Sequence, residues 1–169
     1  MTSKLWIVVT AGIATAILAG PAFAQGAVTA CSSSRVGGRQ IGSWAAKFRV
    51  PRSAHMIRAI DADYVHYSVR YGPKSSPEWL GFYFGALVGG GSPNDLGNPS
   101  ITWHSRQLAC HEDAVGTDWR GIGADGRRWR HIALFGGLAK YEGISPKAAD
   151  YFDKIIGTMC CGERQYCMK

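Results

Sequence analysis

The sequence predicts a single α+β domain: an antiparallel, mostly meandering sheet with one C-terminal amphipathic helix packed on one face, cross-linked by disulfides. Three observations carry this. Several runs between Phe48 and Phe135 alternate apolar and polar residues with the period of two that a half-buried strand requires. Near residues 145–161 the apolar spacing becomes that of a helix. Five cysteines follow a leader-like N-terminus, the setting in which disulfides form and persist.

The leader reads from its own chemistry. Lys4 supplies a positive start, Leu5 to Leu18 an apolar run, Gly20-Pro21 a break, and Ala22-Phe23-Ala24 before Gln25 an A-x-A cleavage site. Residues 1–24 are therefore expected to be a cleaved signal peptide, and the destination to be periplasmic or secreted. Removing Lys4 lowers the formal charge from +7 to +6, which favours anionic surfaces without naming one. Export argues against nucleic acid as a partner. Val28-Thr29-Ala30-Cys31 has lipobox character but stands beyond Pro21 and Gln25, away from the apolar run. Only lipidation of Cys31 would attach this chain to a membrane.

Residues 25–43 are small and polar and read as a flexible N-terminal arm, so the domain is expected over 44–169, beginning at Trp44. Phe48 and Val50 alternate up to Pro51, predicting a short strand that the proline ends. Met56–Ile60 and Tyr64–Tyr71 are close enough to form a hairpin, with Val65, Tyr67, Val69 and Tyr71 on one face of the second strand. Trp79–Val88 is apolar on both faces and should be central. Ile101–Cys110 alternates again. Asp118 to Gly121 leads into a glycine-rich bend, followed by an alternating run from Arg127 to Phe135 with Trp129 and His131 opposite Arg128 and Arg130. A glycine-broken connection then reaches the helix, expected over about 145–161. Ser145 is its N-cap, Pro146 takes the first position, and Gly162 is the natural stop.

The cysteines Cys110, Cys160, Cys161 and Cys167 are expected to form two bridges. The helical stripe turns Cys160 inward with Ile156, which favours Cys110–Cys160 with Cys161–Cys167 pinning the tail. Cys110–Cys161 is the competing arrangement. A vicinal Cys160–Cys161 bond would be strained.

Several chemistries are excluded. Gly121-Ile122-Gly123-Ala124-Asp125-Gly126 matches the dinucleotide fingerprint by letters, but no helix follows it to receive a pyrophosphate, so it is a turn. No C-x-x-C pair is present, so neither a metal nor a cofactor is expected. Acid–base candidates are His104 and His111 with Glu112, Asp113 and Asp118, provided the segment after Cys110 curls over the end of the sheet.

The most distinctive feature is arginine interleaved with tryptophan: Trp119-Arg120, then Arg127-Arg128-Trp129-Arg130. Guanidiniums bind carboxylate or phosphate in a fork and stack on aromatic rings. The leading functional expectation is thus a non-catalytic module of the cell envelope or exterior. Trp119, Arg120, Arg127, Arg128 and Arg130 would recognise an anionic ligand or a protein partner. A small hydrolase using His104 or His111 is one alternative. A structural domain whose arginines pair internally with Asp118, Asp125 and Glu142 is the other.

Overall fold

The computed structural model describes residues 29–30, 37–43, 46–86, 88, 92–110, 113–161 and 166–167. The leader, Cys31, Trp44, His111 and Glu112 lie outside the described residues, as do the side chains of Cys110, Asp113, Cys161 and Cys167.

The elements run β1 (Thr29–Ala30), β2 (Arg39–Gly42), β3 (Ala46–Val50), β4 (His55–Ile60), β5 (Val65–Arg70) and β6 (Trp79–Phe84). A short 3-10 turn at Asn94–Gly97 precedes β7 (Ile101–Cys110), β8 (Asp113–Gly123), β9 (Arg128–Leu134) and β10 (Gly137–Ile144). Helix α1 (Pro146–Ile156), β11 (Cys160–Cys161) and β12 (Tyr166–Cys167) complete the order. All the pairings are antiparallel. A seven-stranded sheet has the order β4-β5-β6-β10-β9-β8-β7, and a five-stranded one the order β1-β12-β11-β3-β2.

The large sheet is two meanders joined edge to edge. The first runs β4 to β6; the second runs β7 to β10 in the opposite direction, so that β10 closes against β6 with Ala139 opposite Phe82. The α+β architecture, the antiparallel sheet and the single C-terminal helix are thus as the sequence predicts. β6 is central, between β5 and β10.

One face of the large sheet holds the core. Val69, Leu80, Phe82, Ile132, Leu134, Ala139 and Tyr141 point toward α1 and the small sheet, meeting Ala148, Phe152, Ile155, Ile156 and Phe48. Phe48 lies with its ring centroid 4.7 Å from that of Phe82, so the small sheet is anchored over the middle of the large one. Ser145 caps α1 by accepting a hydrogen bond at Oγ from the Ala148 N–H, and Glu78 Oε1 accepts from the Ser145 N–H at 2.6 Å. Carboxylate and hydroxyl together occupy donors that a helix start leaves open.

Three boundaries differ from the sequence expectation. First, the helix ends at Ile156 with Gly157 as its C-cap, five residues short of Cys161. Thr158 draws the chain away, its hydroxyl accepting from the Arg49 N–H at 2.7 Å and donating to the Ile155 carbonyl at 2.6 Å. The backbone beyond pairs as a strand, Cys160 opposite Lys47. Met159 and Cys160 are buried as the helical stripe requires, but from beyond the helix: Met159 lies in the turn, its N–H donating to the Ile156 carbonyl, and Cys160 lies in β11.

Second, the domain starts before residue 44. Arg39–Gly42 pairs along β3 and contributes Ile41 to the core, and Thr29–Ala30 pairs with β12. One apolar side chain in a polar stretch is enough when the backbone has a partner strand. Third, the glycine-broken connection is itself a strand. Phe135 and Gly136, the latter at φ 70°, make a tight turn, and β10 returns through the centre of the sheet.

Candidate functional site

The inner face of the sheet changes character toward β7. Strand alternation places Arg106 on β7, Asp118 and Arg120 on β8, and Arg130 on β9 on the same face as the core, and register makes them neighbours. Arg106 lies opposite Asp118, and Arg120 lies between His104 on one side and Arg130 on the other. All three guanidiniums reach one carboxylate. Arg130 donates through Nε to Asp118 Oδ1 and through Nη2 to Oδ2, both at 2.9 Å, a bidentate fork. Arg106 Nε and Arg120 Nε both donate to Oδ2, at 3.0 and 3.3 Å.

Burial grades this cluster. The Asp118 side chain is 0% exposed and that of Arg130 is 3%, whereas Arg106 and Arg120 are 48% and 49% exposed. Arg130 turns its remaining nitrogen, Nη1, to Asp153 Oδ1 on α1 at 2.8 Å, and the Tyr141 hydroxyl donates to the same oxygen at 2.9 Å. The interior end is therefore closed by the helix. Counting Arg106, Arg120 and Arg130 against Asp118 and Asp153, the cluster carries one excess positive charge, and it is the outer arginines that meet solvent.

The titration behaviour follows. Burial pushes the Asp118 carboxyl up, but the hydrogen bond and charge of Arg130, then the charges of Arg120 and Arg106, outweigh it and hold the group below the usual range. Arg130 is opposed by burial and raised by Asp118 and Asp153, so it stays charged. Tyr141 is pushed well above the usual phenol range, by burial first and then by Asp153. A buried carboxylate held below its usual range thus engages three guanidiniums.

The other residues proposed from the sequence separate. Trp119 neighbours Arg120 on one strand, so its side chain leaves by the opposite face, beside His131. Arg127 sits in the β8–β9 turn, where it pairs with Asp125 at 3.6 Å and donates to the Gly143 carbonyl. Arg128 lies on the core face, two residues from Arg130, opposite Ile122. The five residues expected to form one basic aromatic surface therefore occupy two faces and a turn. His104 is exposed next to Arg120, and Asp113 occupies the first position of β8. His131 is buried on the outer face, its Nε2 2.7 Å from Glu142 Oε1, which also accepts from Lys140 Nζ at 3.2 Å. That hydrogen bond, more than the Lys140 charge, brings Glu142 down to about 2 against the opposing effect of burial.

The outer face is paved with rings. Trp79, Tyr83, Trp103, Trp119 and Trp129 are all half-buried there. Gly121 stands between Trp103 and Trp129, and a Cβ at that glycine would meet the Trp103 ring at 3.0 Å. His66 stacks on Tyr83 with centroids 4.4 Å apart.

Arg106, Asp153 and Tyr141 belong to the site and escape sequence reasoning, because what joins them to Asp118 is the β7–β8 register and the docking of α1. Among the described residues no group of histidine, cysteine or acidic side chains is arranged to hold a metal, and no helix is long and apolar enough to cross a membrane. Comparison with protein-family models, with curated proteins and with solved structures finds no match to this chain.

Proposed function

We propose that this chain is an exported, non-catalytic binding module in which Arg106 and Arg120 receive an anionic group of a ligand or a protein partner of the envelope or exterior. One observation supports the reading above others. Asp118 accepts from both outer arginines through Nε alone, and the terminal nitrogens of each donate to no described residue. Two guanidiniums held by their inner edges and open at their outer ones suit carboxylate, phosphate or sulfate oxygens. Holding them in place beforehand reduces the ordering cost of binding. His104, exposed beside Arg120, widens the same patch.

The test is calorimetric titration with inorganic phosphate, sulfate and acetate, repeated with Arg106→Gln and Arg120→Gln. A hydrogen bond to a charged group contributes about 1.5–3 kcal/mol, so each variant should lose roughly tenfold or more in affinity. Arg127→Gln should change nothing. Absence of binding by the parent chain, or equal binding by all variants, removes this reading. It would leave the purely structural one, which the four hydrogen bonds already satisfying Asp118 favour.

The proposal includes export through residues 1–24 and cross-linking of the cysteines. Cys160 is the one cysteine whose side chain is described, and it is not a free thiol. A Cys110–Cys160 link is supported by topology: α1 leaves β10 and packs back along it, returning the chain toward the end of the sheet where β7 finishes. The register that sets Cys160 opposite Cys167 supports a second pairing. A peptide map under non-reducing conditions distinguishes the two.

A further inference from the structure

The two edges of the large sheet are unlike. On β7 the exposed residues are Thr102, His104, Ser105, Arg106 and Gln107, the polar cover that keeps an edge strand from pairing. On β4 they are His55, Ile57, Arg58, Ala59 and Ile60, with Ile57 56% and Ile60 67% exposed. There is no proline, lysine or bulge in β4, and Arg58 lies back over the Tyr67 ring of β5 at 5.9 Å. An apolar, regular edge of six residues is a template for another strand.

The hydrogen-bond phase identifies which groups are open. The Asp61 N–H donates to the Tyr64 carbonyl, so Ala59, Ile57 and His55 also turn their backbone groups toward β5. Met56, Arg58 and Ile60 therefore point theirs outward, where no described residue pairs with them.

We propose that β4 is the interface of a homodimer, in which a second copy of this chain adds its own β4 antiparallel across a twofold axis at Ile57. The registers are few, because an antiparallel pair must keep each residue opposite one on the same face. An axis at Arg58 sets two guanidiniums against each other, which is destabilising. An axis at Met56 sets Ile60 against Arg52 and leaves Asp61 beyond the pairing. With the axis at Ile57, the two Ile57 side chains meet and Met56 opposes Arg58 in both halves. The open backbone groups of Met56 and Arg58 then bond each other, and Ile60 comes over Ala54. The turn carrying Arg52 falls beside the turn Asp61-Ala62-Asp63 of the second copy, charge against countercharge. The edge is thus self-complementary in charge and in the backbone bonds of Met56 and Arg58, while Ala54 keeps its own bonds to Pro51 and Arg39. An isologous contact demands such self-matching.

The dimer is read by sedimentation velocity of the mature chain at rising concentration, with Ile57→Lys as the disrupting variant and Arg127→Ala as the control. The parent chain and Arg127→Ala should shift to the dimer, and Ile57→Lys should stay monomeric with unchanged far-ultraviolet circular dichroism. A second variant avoids reliance on loss. Residues facing each other at a non-hydrogen-bonded position stand about 4.5 Å apart at Cα, within disulfide reach. Ile57→Cys should therefore give a covalent dimer on mild oxidation, and Ile60→Cys should not. A monomeric parent chain at about 100 µM, a concentration chosen to detect a weak pairing, overturns the proposal, as does cross-linking at Ile60→Cys in preference to Ile57→Cys. Both outcomes are independent of whether the arginine site binds anions.

Discussion

Arg120 and Arg130 stand directly opposite each other on β8 and β9, and their guanidiniums share the carboxylate of Asp118. Like charges in that position repel. What makes the pairing tolerable is a carboxylate two residues along the same strand, on the same face, with no exposure to solvent.

Replacing that carboxylate is the first test. Asp118→Asn leaves the volume almost unchanged, removes the negative charge and strands the buried Arg130 with only the half-exposed Asp153. Breaking one side of a buried pair costs about 3–5 kcal/mol, and a urea midpoint shift of that size is expected. Asp118→Leu combined with Arg130→Met should recover much of the loss, because a buried ion pair is worth little more than a well-packed apolar one. If Asp118→Asn alone is neutral, the cluster does not organise this region.

Acid should act through two carboxylates. Asp118 and Glu142 both have folded-state pKa values below their ordinary ones of 3.8 and 4.5, so both favour the folded state wherever they are ionised. The stability they supply is present above those ordinary values. It is lost as pH falls through the folded ones, about 2 for Glu142. Denaturation curves taken down this range should therefore show falling stability. Glu142→Gln should flatten the part due to the His131 contact; a curve as steep as that of the parent chain would mean this contact does not couple to folding.

The helix start offers a smaller, cleaner measurement. Ser145→Ala removes the acceptor for the Ala148 N–H and should cost about 1 kcal/mol. Glu78→Ala should cost more than a surface substitution, because it uncovers the Ser145 N–H across the junction between β6 and α1. Equal, negligible effects would show that water replaces both acceptors.

What was legible in the sequence was whatever depends on neighbours along the chain. The period of two in Val65–Arg70 and Ile101–Cys110, and the Ser145-Pro146 start of α1, needed only local rules. β10 was hidden because Gly136, Gly137 and Gly143 make its sequence look like a loop, although Leu138 and Lys140 alternate with Ala139 and Tyr141. The helix end is not legible because Met159 and Cys160 keep the helical spacing although the helix stops at Ile156 and the Cys160 backbone pairs with β3. At the site, Asp118, Arg120 and Arg130 could be picked out by type, yet Arg106 joins them only through register. Trp119 and Arg120 are adjacent on β8 and so point to opposite faces, a separation that local strand geometry already dictates.

The union of the two sheets gives the last test. Phe48 is almost fully buried, with its ring 4.7 Å from Phe82 and 6.1 Å from Phe84, centroid to centroid. It comes from a strand of five residues whose own sheet has little else to hold it, since β11 and β12 are two residues each. Phe48→Ala should therefore cost the lost transfer energy and a cavity, about 3–5 kcal/mol. The decisive readout is local. If Phe48 is what seats the small sheet, hydrogen exchange in β2 and β3 should rise more than in β6 and β10 of the same variant. A uniform rise across both sheets would mean that they unfold as one unit and that the seat is shared among Ile41, Val50 and Met159 as well.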